Sequence, residues 1–233
     1  MISTQDAIAR PAVTVSYAQT LDGRLATSTG SSRWISGPES LRFTHELRAS
    51  HDAIMVGAGT VREDDPRLTV RLVPGRDPVR VVVDSMLRTP PTAAVLSDGA
   101  AAGTILAVTD RAPEERCAAV RELGATVLRL PADPRGCVDL AALLMALHAR
   151  GVGTVMVEGG ARLITSLLRA RLVDGLAVCI APKILGKGIE AIGDLGIRDL
   201  SEALALVETR VTPLGTDWII ESRVSYQDAS GAG

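Results

Sequence analysis

The stretch that decides the fold is A-I-M-V-G-A-G-T-V-R-E-D-D-P-R-L-T-V-R, residues 53–71, in which an apolar run passes through glycines into a polar segment. Residues 53–56 have the composition of a buried β-strand. Residues 60–71 place a hydroxyl, carboxylates and cations in a predicted loop directly after it. Ligands of open α/β sheets gather at the carboxyl ends of strands, so this loop is a candidate site for a phosphorylated ligand. The alternative is an ordinary polar turn around Asp-Asp-Pro.

Strand-like runs alternate with amphipathic stretches outward from this segment. Further strands are predicted at residues 13–18, 79–83, 104–108, 125–130 and 154–157. Helices are predicted at residues 114–123 and 140–148, and a third is predicted to start at a capping box of Ser36 and Glu39 and to run toward Ser50. This alternation indicates an α/β fold with a mostly parallel central sheet flanked by helices.

The end of the chain follows a different pattern. After a predicted helix at residues 163–172, strand-like runs occur at 175–180, 203–211 and 217–221, with no helix long enough to cross between the last two. Antiparallel strands are therefore expected at the C-terminal end. We expect residues 1–227 to form a single domain and residues 228–233 to be a flexible tail.

Composition excludes several classes of function. The 233 residues are 46% hydrophobic, and 25 basic against 27 acidic residues give a net charge of −2. No basic surface for nucleic acid or membrane is indicated. No segment has the pattern of a signal peptide or of a membrane span, which makes a cytoplasmic location the default expectation.

Known metal and nucleotide motifs are also missing from the sequence. The cysteines, Cys117, Cys137 and Cys179, form no C-x-x-C pair, so neither a disulfide framework nor a metal site is predicted. Neither a G-x-G-x-x-G dinucleotide fingerprint nor a Walker loop occurs.

A second candidate for chemistry is V-E-G-G-A-R, residues 157–162, where an apolar strand runs into a carboxylate, two glycines and a helix. The backbone N–H groups at the start of that helix could bind a pyrophosphate. A plain strand-to-helix turn that needs glycine for positive φ is the alternative.

Taken together, separated motifs strongly resemble the pyrimidine reductases of riboflavin biosynthesis, whose fold is like that of dihydrofolate reductase. The match extends from about residue 13 to about residue 221. The motifs are L-D-G-R at 21–24, W-I-S at 34–36, L-R-A at 47–49, G-T-V-R-E-D-D-P-R-L-T-V-R at 59–71, and V-E-G-G at 157–160 followed by A-P-K-I-L-G at 181–186.

The resemblance implies a site for the ribose phosphate of the substrate, at positions that match Ser32, Arg48, Leu68 and Arg71. Guanidinium groups can form charge-assisted bonds to a phosphate, and a serine hydroxyl adds a neutral donor. Glu158 is implied to contact the pyrimidine or the opened sugar. The alternatives are that Arg48 only complements a helix dipole and that Arg71 is a solvated edge residue.

The resemblance also implies NADPH as the cofactor. The matching positions are Trp34, Thr60, Asp64, Ser85, Gly159, Gly160, Ala161, Arg162 and Leu163. Ser85 and the nearby Arg88 could meet the adenosine 2′-phosphate. Asp64 could instead fix its own loop, and Trp34 could instead anchor the core.

The implied chemistry is hydride transfer to C1′ of a ribosylamino side chain once the sugar opens to an imine, which gives a ribitylamino product. Bifunctional members of the family often carry a lysine where this chain has Ser16, so the catalytic proton donor stays unassigned. The H-x-E and P-C-x-x-C signature of the fused deaminase is absent.

The leading hypothesis is thus an NADPH-dependent reductase of a phosphoribosylamino-pyrimidine, deaminated or not. The family resemblance further implies a homodimer. The alternatives are a reductase of folate, pterin or a secondary-metabolite pyrimidine with the same fold, and a non-catalytic nucleotide-binding protein.

Overall fold

A computed structural model describes residues 9–32, 35–97 and 99–226 of the chain. The strands are β1 (Ala12–Thr20), β2 (Arg24–Thr27), β3 (Ala53–Gly57), β4 (Val79–Val83), β5 (Thr104–Val108), β6 (Thr126–Arg129), β7 (Thr154–Gly159), β8 (Gly175–Ala181), β9 (Gly188–Glu190), β10 (Ala205–Leu214) and β11 (Asp217–Ser225). The α-helices are α1 (Pro38–Ser50), α2 (Ala58–Asp64), α3 (Glu114–Glu122), α4 (Leu140–His148) and α5 (Ala161–Arg169).

The main sheet has nine strands in the order β10-β11-β8-β1-β7-β3-β4-β5-β6. Strand pairs from β8 through β6 are parallel. Strand β11 is antiparallel to both β8 and β10. The predicted fold class is therefore confirmed, including the antiparallel strands at the C-terminal end.

Alternate residues of the central strands pack into two separate core layers. Ala53 and Met55 of β3 face the leucine-rich sides of α4 and α5. Ile54 and Val56 face the opposite way, toward α2 and α3. Successive side chains of a strand point to opposite faces of the sheet. Here both faces are buried, which is typical of parallel sheets. The sheet is thus covered on both sides by helices.

Helix α1 begins differently from the prediction. The expected capping box of Ser36 and Glu39 is wrong, because the N-cap residue is Gly37, without a side-chain cap, and Pro38 follows. The carboxylate of Asp217, at the start of β11, accepts hydrogen bonds from the Gly37 N–H and the Ser40 hydroxyl, both at 2.7 Å. A distant buried carboxylate thus does the work that a local cap would do.

Three other local predictions need correction. Residues 60–64, predicted as loop, belong to α2, which ends where Asp65 adopts a left-handed conformation (φ 41°) before Pro66. Helix α5 begins at Ala161 and ends at Arg169, earlier than predicted, because the backbone turns at Arg171 (φ 55°). Strands β2 and β9, which pair with each other, were not predicted because their sequences, R-L-A-T and G-I-E, are short and have neither an apolar run nor a regular alternation.

Within the residues that the structure describes, no helix has the length and apolar character needed to cross a membrane. The predicted tail at residues 228–233 lies outside the described residues, so this prediction and the single-domain assignment stay predictions.

Candidate functional site

The two turns singled out in the sequence lie side by side at the carboxyl ends of β3 and β7. A Cβ placed on Gly160 would be 3.2 Å from the Thr60 hydroxyl oxygen, and one placed on Gly57 would be 3.9 Å from Cβ of Leu163. Gly159 has a φ of 126°, and its peptide bond to Gly160 is cis. Glycine is needed at 159 for its conformation and at 160 for the close approach of α2.

One side of these turns carries a buried ion pair. The guanidinium of Arg48 in α1 donates to both carboxylate oxygens of Glu158 in β7, at 2.6 and 2.8 Å. The two side chains are only 10% and 15% exposed. A third bond, from Nη1 of Arg48 to the Thr69 carbonyl at 3.0 Å, ties the pair to the segment after α2.

That segment, residues 68–71, is held against α1 and carries the second predicted phosphate ligand. The Arg71 backbone N–H donates to Nδ1 of His45 at 2.9 Å, and its guanidinium donates to the Thr69 hydroxyl at 2.6 Å. Leu68 has a φ of 54° and a buried side chain within the core, so only its backbone could meet a ligand. Burial, followed by the positive charges of Arg48 and Arg71, lowers the pKa of His45 to about 4.

Positive charge accumulates on this side of the sheet. The pKa of Arg71 is lowered by partial desolvation and by the neighbouring Arg48. Two guanidiniums that repel each other favour a bound anion. The exposed side chain of Arg71 is the more available of the two, since three bonds already engage Arg48.

Ser32, the third predicted phosphate ligand, is half-buried in the loop between β2 and α1. Trp34, predicted to contact the cofactor, lies outside the described residues. The loop is anchored just beyond it, because Nζ of Lys183 donates to the Ile35 carbonyl at 2.8 Å. The structure thus places Lys183 of A-P-K-I-L-G against Ile35.

The L-D-G-R motif is joined to the same loop. The carboxylate of Asp22 accepts hydrogen bonds from the Thr20 hydroxyl and from the backbone N–H groups of Leu185 and Gly186. These bonds lower the pKa of Asp22 to about 2. The role of this aspartate in the structure is therefore to clamp two loops at the carboxyl ends of β1 and β8.

The other side of the turns opens into a cleft of about 430 Å³. It lies beyond the carboxyl ends of β3 and β4, against the first turns of α4 and α5. Arginines from different loops and helices line it, namely Arg62, Arg88, Arg111, Arg135 and Arg162. Over the described part of the chain, only Arg135 among these five has a carboxylate partner, Asp133. The cleft therefore has a strong excess of positive charge.

The cleft contains three residues of the predicted cofactor set. Ser85, Arg162 and Leu163 line it. The Ser85 hydroxyl oxygen accepts a hydrogen bond from the Val138 N–H at 2.9 Å, which leaves its own proton for a ligand. Leu163 is mostly buried in the core, while Arg162 is exposed.

The remaining predicted residues belong to α2, the glycine turn and the start of α5. Ala161 is the first residue of α5, next to Gly159 and Gly160. Thr60 faces Gly160 across the contact described above. Asp64 is the last residue of α2 and has an exposed side chain.

Sequence reasoning missed Arg62, Arg111 and Arg135. Arg62 stands inside the segment chosen for its chemistry, and Arg111 follows β5 by three residues, so position after a strand could have indicated both. Arg135 lies between β6 and α4, and no local signal indicates it.

Ser16 is buried in β1 opposite Ala177 of β8. In the ladder with β7 it follows Val15, which pairs with Val157, so Ser16 is placed beside Glu158. Arg48 is already paired with both carboxylate oxygens of Glu158, so the catalytic proton donor stays unassigned.

Comparison with known proteins identifies the family. The family model of the RibD C-terminal domain matches residues 11–220. A 2,5-diamino-6-ribosylamino-4(3H)-pyrimidinone 5′-phosphate reductase of Methanothermobacter thermautotrophicus is 49% identical, over 92% of this chain and 99% of the relative. The riboflavin biosynthesis protein RibD of Aquifex aeolicus is 42% identical over 91% of this chain and 57% of the relative.

Solved structures give the same result. A deaminase/reductase of Thermotoga maritima matches with a TM-score of 0.72 and 31% identity, over 93% of this chain and 57% of the other. The riboflavin biosynthesis reductase of Saccharomyces cerevisiae matches with a TM-score of 0.73 and 27% identity, over 96% and 93% of the two chains. The chain belongs to the RibD C-terminal domain family, the pyrimidine reductases of riboflavin biosynthesis.

Proposed function

We propose that this protein is an NADPH-dependent reductase that converts a ribosylamino-pyrimidine 5′-phosphate into its ribitylamino product by reduction at C1′. The observation that carries the proposal is the meeting of two cationic sites at one glycine turn. One comprises Arg48 and Arg71 beside Glu158, and the other is the arginine-lined cleft. A phosphorylated substrate and a phosphorylated cofactor would thus be held with their reactive ends together.

The substrate side is suited to a sugar phosphate. Arg71, with its exposed guanidinium, would bind the phosphate with Ser32 and the backbone at Leu68. Arg48, which is paired with Glu158, would hold the segment that carries Arg71 through the Thr69 carbonyl. Glu158, held rigidly by Arg48, would accept hydrogen bonds from the pyrimidine or from the opened sugar. Fixing this carboxylate in one orientation reduces the entropy lost when the substrate binds.

The cofactor side fits a dinucleotide with an extra phosphate. Membership of this reductase family implies a nicotinamide cofactor, which supplies the hydride when bound. The first turn of α5 would hold the pyrophosphate through the backbone N–H groups of Ala161 and Arg162, because that of Leu163 already donates to the Gly160 carbonyl. Four cleft arginines without a carboxylate partner in the described chain suit a 2′-phosphate, which favours NADPH over NADH.

Among pyrimidines, we propose the diaminopyrimidinone, which is not yet deaminated, as the substrate. The relative of Methanothermobacter thermautotrophicus, at 49% identity over nearly its full length, carries that name. A second relative, of Archaeoglobus fulgidus, carries the same name at 42% identity over 83% of its length.

The test is to follow NADPH absorbance with the diaminopyrimidinone phosphate, the aminouracil phosphate and dihydrofolate in turn. Oxidation with the first compound supports the proposal. Turnover of only the aminouracil phosphate would show that the substrate is the deaminated pyrimidine. Turnover of only dihydrofolate would show that the protein is a folate reductase. Binding of NADPH without any turnover would overturn the reductase assignment.

Cofactor preference is tested by replacing Arg88 and Arg111 with alanine together. The NADPH KM should rise by at least about tenfold, because charge-assisted bonds to the extra phosphate are lost, while the NADH KM stays within about twofold. Arg150→Ala is the matched control, since Arg150 follows the end of α4 and its guanidinium donates to the Ala146 carbonyl. Equal changes in the KM values for NADPH and NADH would show that the 2′-phosphate does not bind in this cleft.

A homodimer is part of the proposal. Strand β10 is at the edge of the sheet, and most of its residues are exposed, including Leu206, Val207 and Val211. An exposed edge strand with apolar side chains is a surface that proteins usually cover. Light scattering should show a dimer that Val211→Lys weakens, and a monomeric wild type would contradict this.

The cytoplasmic location stays a prediction.

A further inference from the structure

His45 joins helix α1 to the phosphate-binding segment without any place in the family motifs described above. Its side chain is fully buried. Nδ1 accepts the backbone N–H of Arg71 at 2.9 Å. One helical turn later, Arg48 donates to the Thr69 carbonyl at 3.0 Å. Two side chains on one face of α1 therefore hold the backbone of residues 69 and 71.

The chemistry of the ring shows which atom matters. A backbone N–H can only donate, so Nδ1 must be the unprotonated nitrogen and the proton of the neutral ring lies on Nε2. Nε2 is buried and has no hydrogen-bond partner in the part of the chain that is described. Burying such a donor is costly, and an apolar side chain would avoid the cost. Packing alone therefore does not explain a histidine here.

The surroundings also favour a neutral acceptor. The groups that face the ring with charge are Arg48 on its own helix and Arg71 on the facing segment, and both are cationic. A cationic side chain at position 45 would be repelled by them and would offer no acceptor to Arg71. Imidazole is large enough to span from α1 to the segment and still accepts a hydrogen bond.

We propose that His45 is a positioning residue for the substrate phosphate: its Nδ1 fixes the Arg71 backbone so that the Arg71 guanidinium meets the phosphate. This inference rests on the proposed function. His45 itself does not touch the substrate.

The test compares two amide variants of nearly equal size. His45→Asn places an oxygen close to the position of Nδ1, whereas His45→Gln places it close to that of Nε2. We expect His45→Asn to keep the KM for the phosphorylated substrate within about threefold of wild type, and His45→Gln to raise it about tenfold. The NADPH KM should stay within about twofold in both variants.

The dephosphorylated substrate supplies the readout that a merely structural role would not produce. Its kcat/KM should be the same in wild type and both variants, since it lacks the group that Arg71 binds. The matched controls are His51→Asn and His51→Gln, because His51 caps the end of α1 and bonds to Leu47 and Ser50. They should change neither KM.

Each outcome has a distinct meaning. If wild type fails to turn over any pyrimidine phosphate, the proposed function falls and this inference falls with it. If wild type is active and the two His45 variants have equal KM values for the phosphorylated substrate, only the positioning role is overturned. The same holds if the kcat/KM values for the phosphorylated and the dephosphorylated substrate fall by the same factor. If His45→Gln does not fold, calorimetric binding of ribose 5-phosphate to His45→Asn decides, and a loss above about tenfold overturns the role.

Discussion

Helices α1 and α5 lie on opposite faces of strand β7 and bury opposite kinds of side chain. The buried residues of α5 are Leu163, Ile164, Thr165, Leu167 and Leu168. Those of α1 are Ser40, His45 and Arg48. Helix α5 is held by hydrophobic burial, which is non-directional, and α1 is held by polar bonds of defined geometry.

The difference teaches where stability and activity can be separated. The polar bonds of α1 to Glu158 and to the Arg71 backbone both attach the helix and shape the proposed substrate site. A change there should affect folding and substrate use together. The apolar contacts of α5 attach the helix only, while its first turn faces the cofactor cleft.

Glu158→Gln should have the largest effect. It leaves the Arg48 guanidinium buried without a counter-charge, which costs about 3–5 kcal/mol of unfolding free energy. The kcat/KM for the pyrimidine substrate should fall sharply as well. Urea unfolding and NADPH oxidation measure the two.

The control is another ion pair of the same helix. Arg42 and Glu46 are exposed at 66% and 51%, so Glu46→Gln should change stability by at most about 0.5 kcal/mol. If the two substitutions are equally mild, the Arg48–Glu158 pair does not hold α1.

Leu167→Ala should be next in size and purely structural. Leu167 is fully buried, and its truncation should cost about 2–5 kcal/mol of unfolding free energy through lost burial and a cavity. At a temperature where the variant is folded, kcat and both KM values should match wild type. A large change in the substrate KM would contradict the conclusion that the apolar contacts of α5 affect stability only.

Acid should affect the α1 side through His45. The folded-state pKa of about 4 lies below the ordinary value of 6.5, so the unfolded chain binds more protons between these limits. Stability should therefore fall as pH drops from about 6.5 to about 4. Urea midpoints across this range should decline less steeply in His45→Asn, and parallel curves for the two proteins would assign the acid sensitivity elsewhere.

The smallest expected effect is a change in the labelling rate of Cys137, on the α5 side. Cys137 lines the cleft and is exposed, while Cys117 and Cys179 are buried. NADPH should slow alkylation of Cys137 by a maleimide, because the cofactor would cover it, and Glu158→Gln should not alter that protection. Mass spectrometry of the peptide containing Cys137 gives the rate, and unchanged labelling would move the cofactor out of this cleft.

Local patterns predicted the regular elements well. Strand β4 and helix α4 have the predicted bounds, and strands β3 and β7 were placed within a few residues, because continuous apolar runs and helical spacing suffice for buried elements. Helix α2 was missed, since its seven residues carry the glycine and acidic composition of a turn.

The candidate site was predicted only in part, for a physical reason that its residues show. Thr60 and Gly160 could be matched from motifs, and the structure brings them together. The bond between Arg48 and Glu158 joins residues 110 positions apart, and no local pattern records such a pair. The same holds for Asp217, which anchors α1 across 180 positions.

By itself, the sequence determined the alternation of strands and helices, the apolar faces that build the sheet, and the motifs of its family, because each of these is written in residues close together along the chain. Only the tertiary structure decided that Arg48 neutralises Glu158, that His45 accepts from Arg71, and that arginines from separate loops share one cleft. These are charges and hydrogen bonds between distant residues, and their energies depend on burial and distance, which exist only once the sheet has formed.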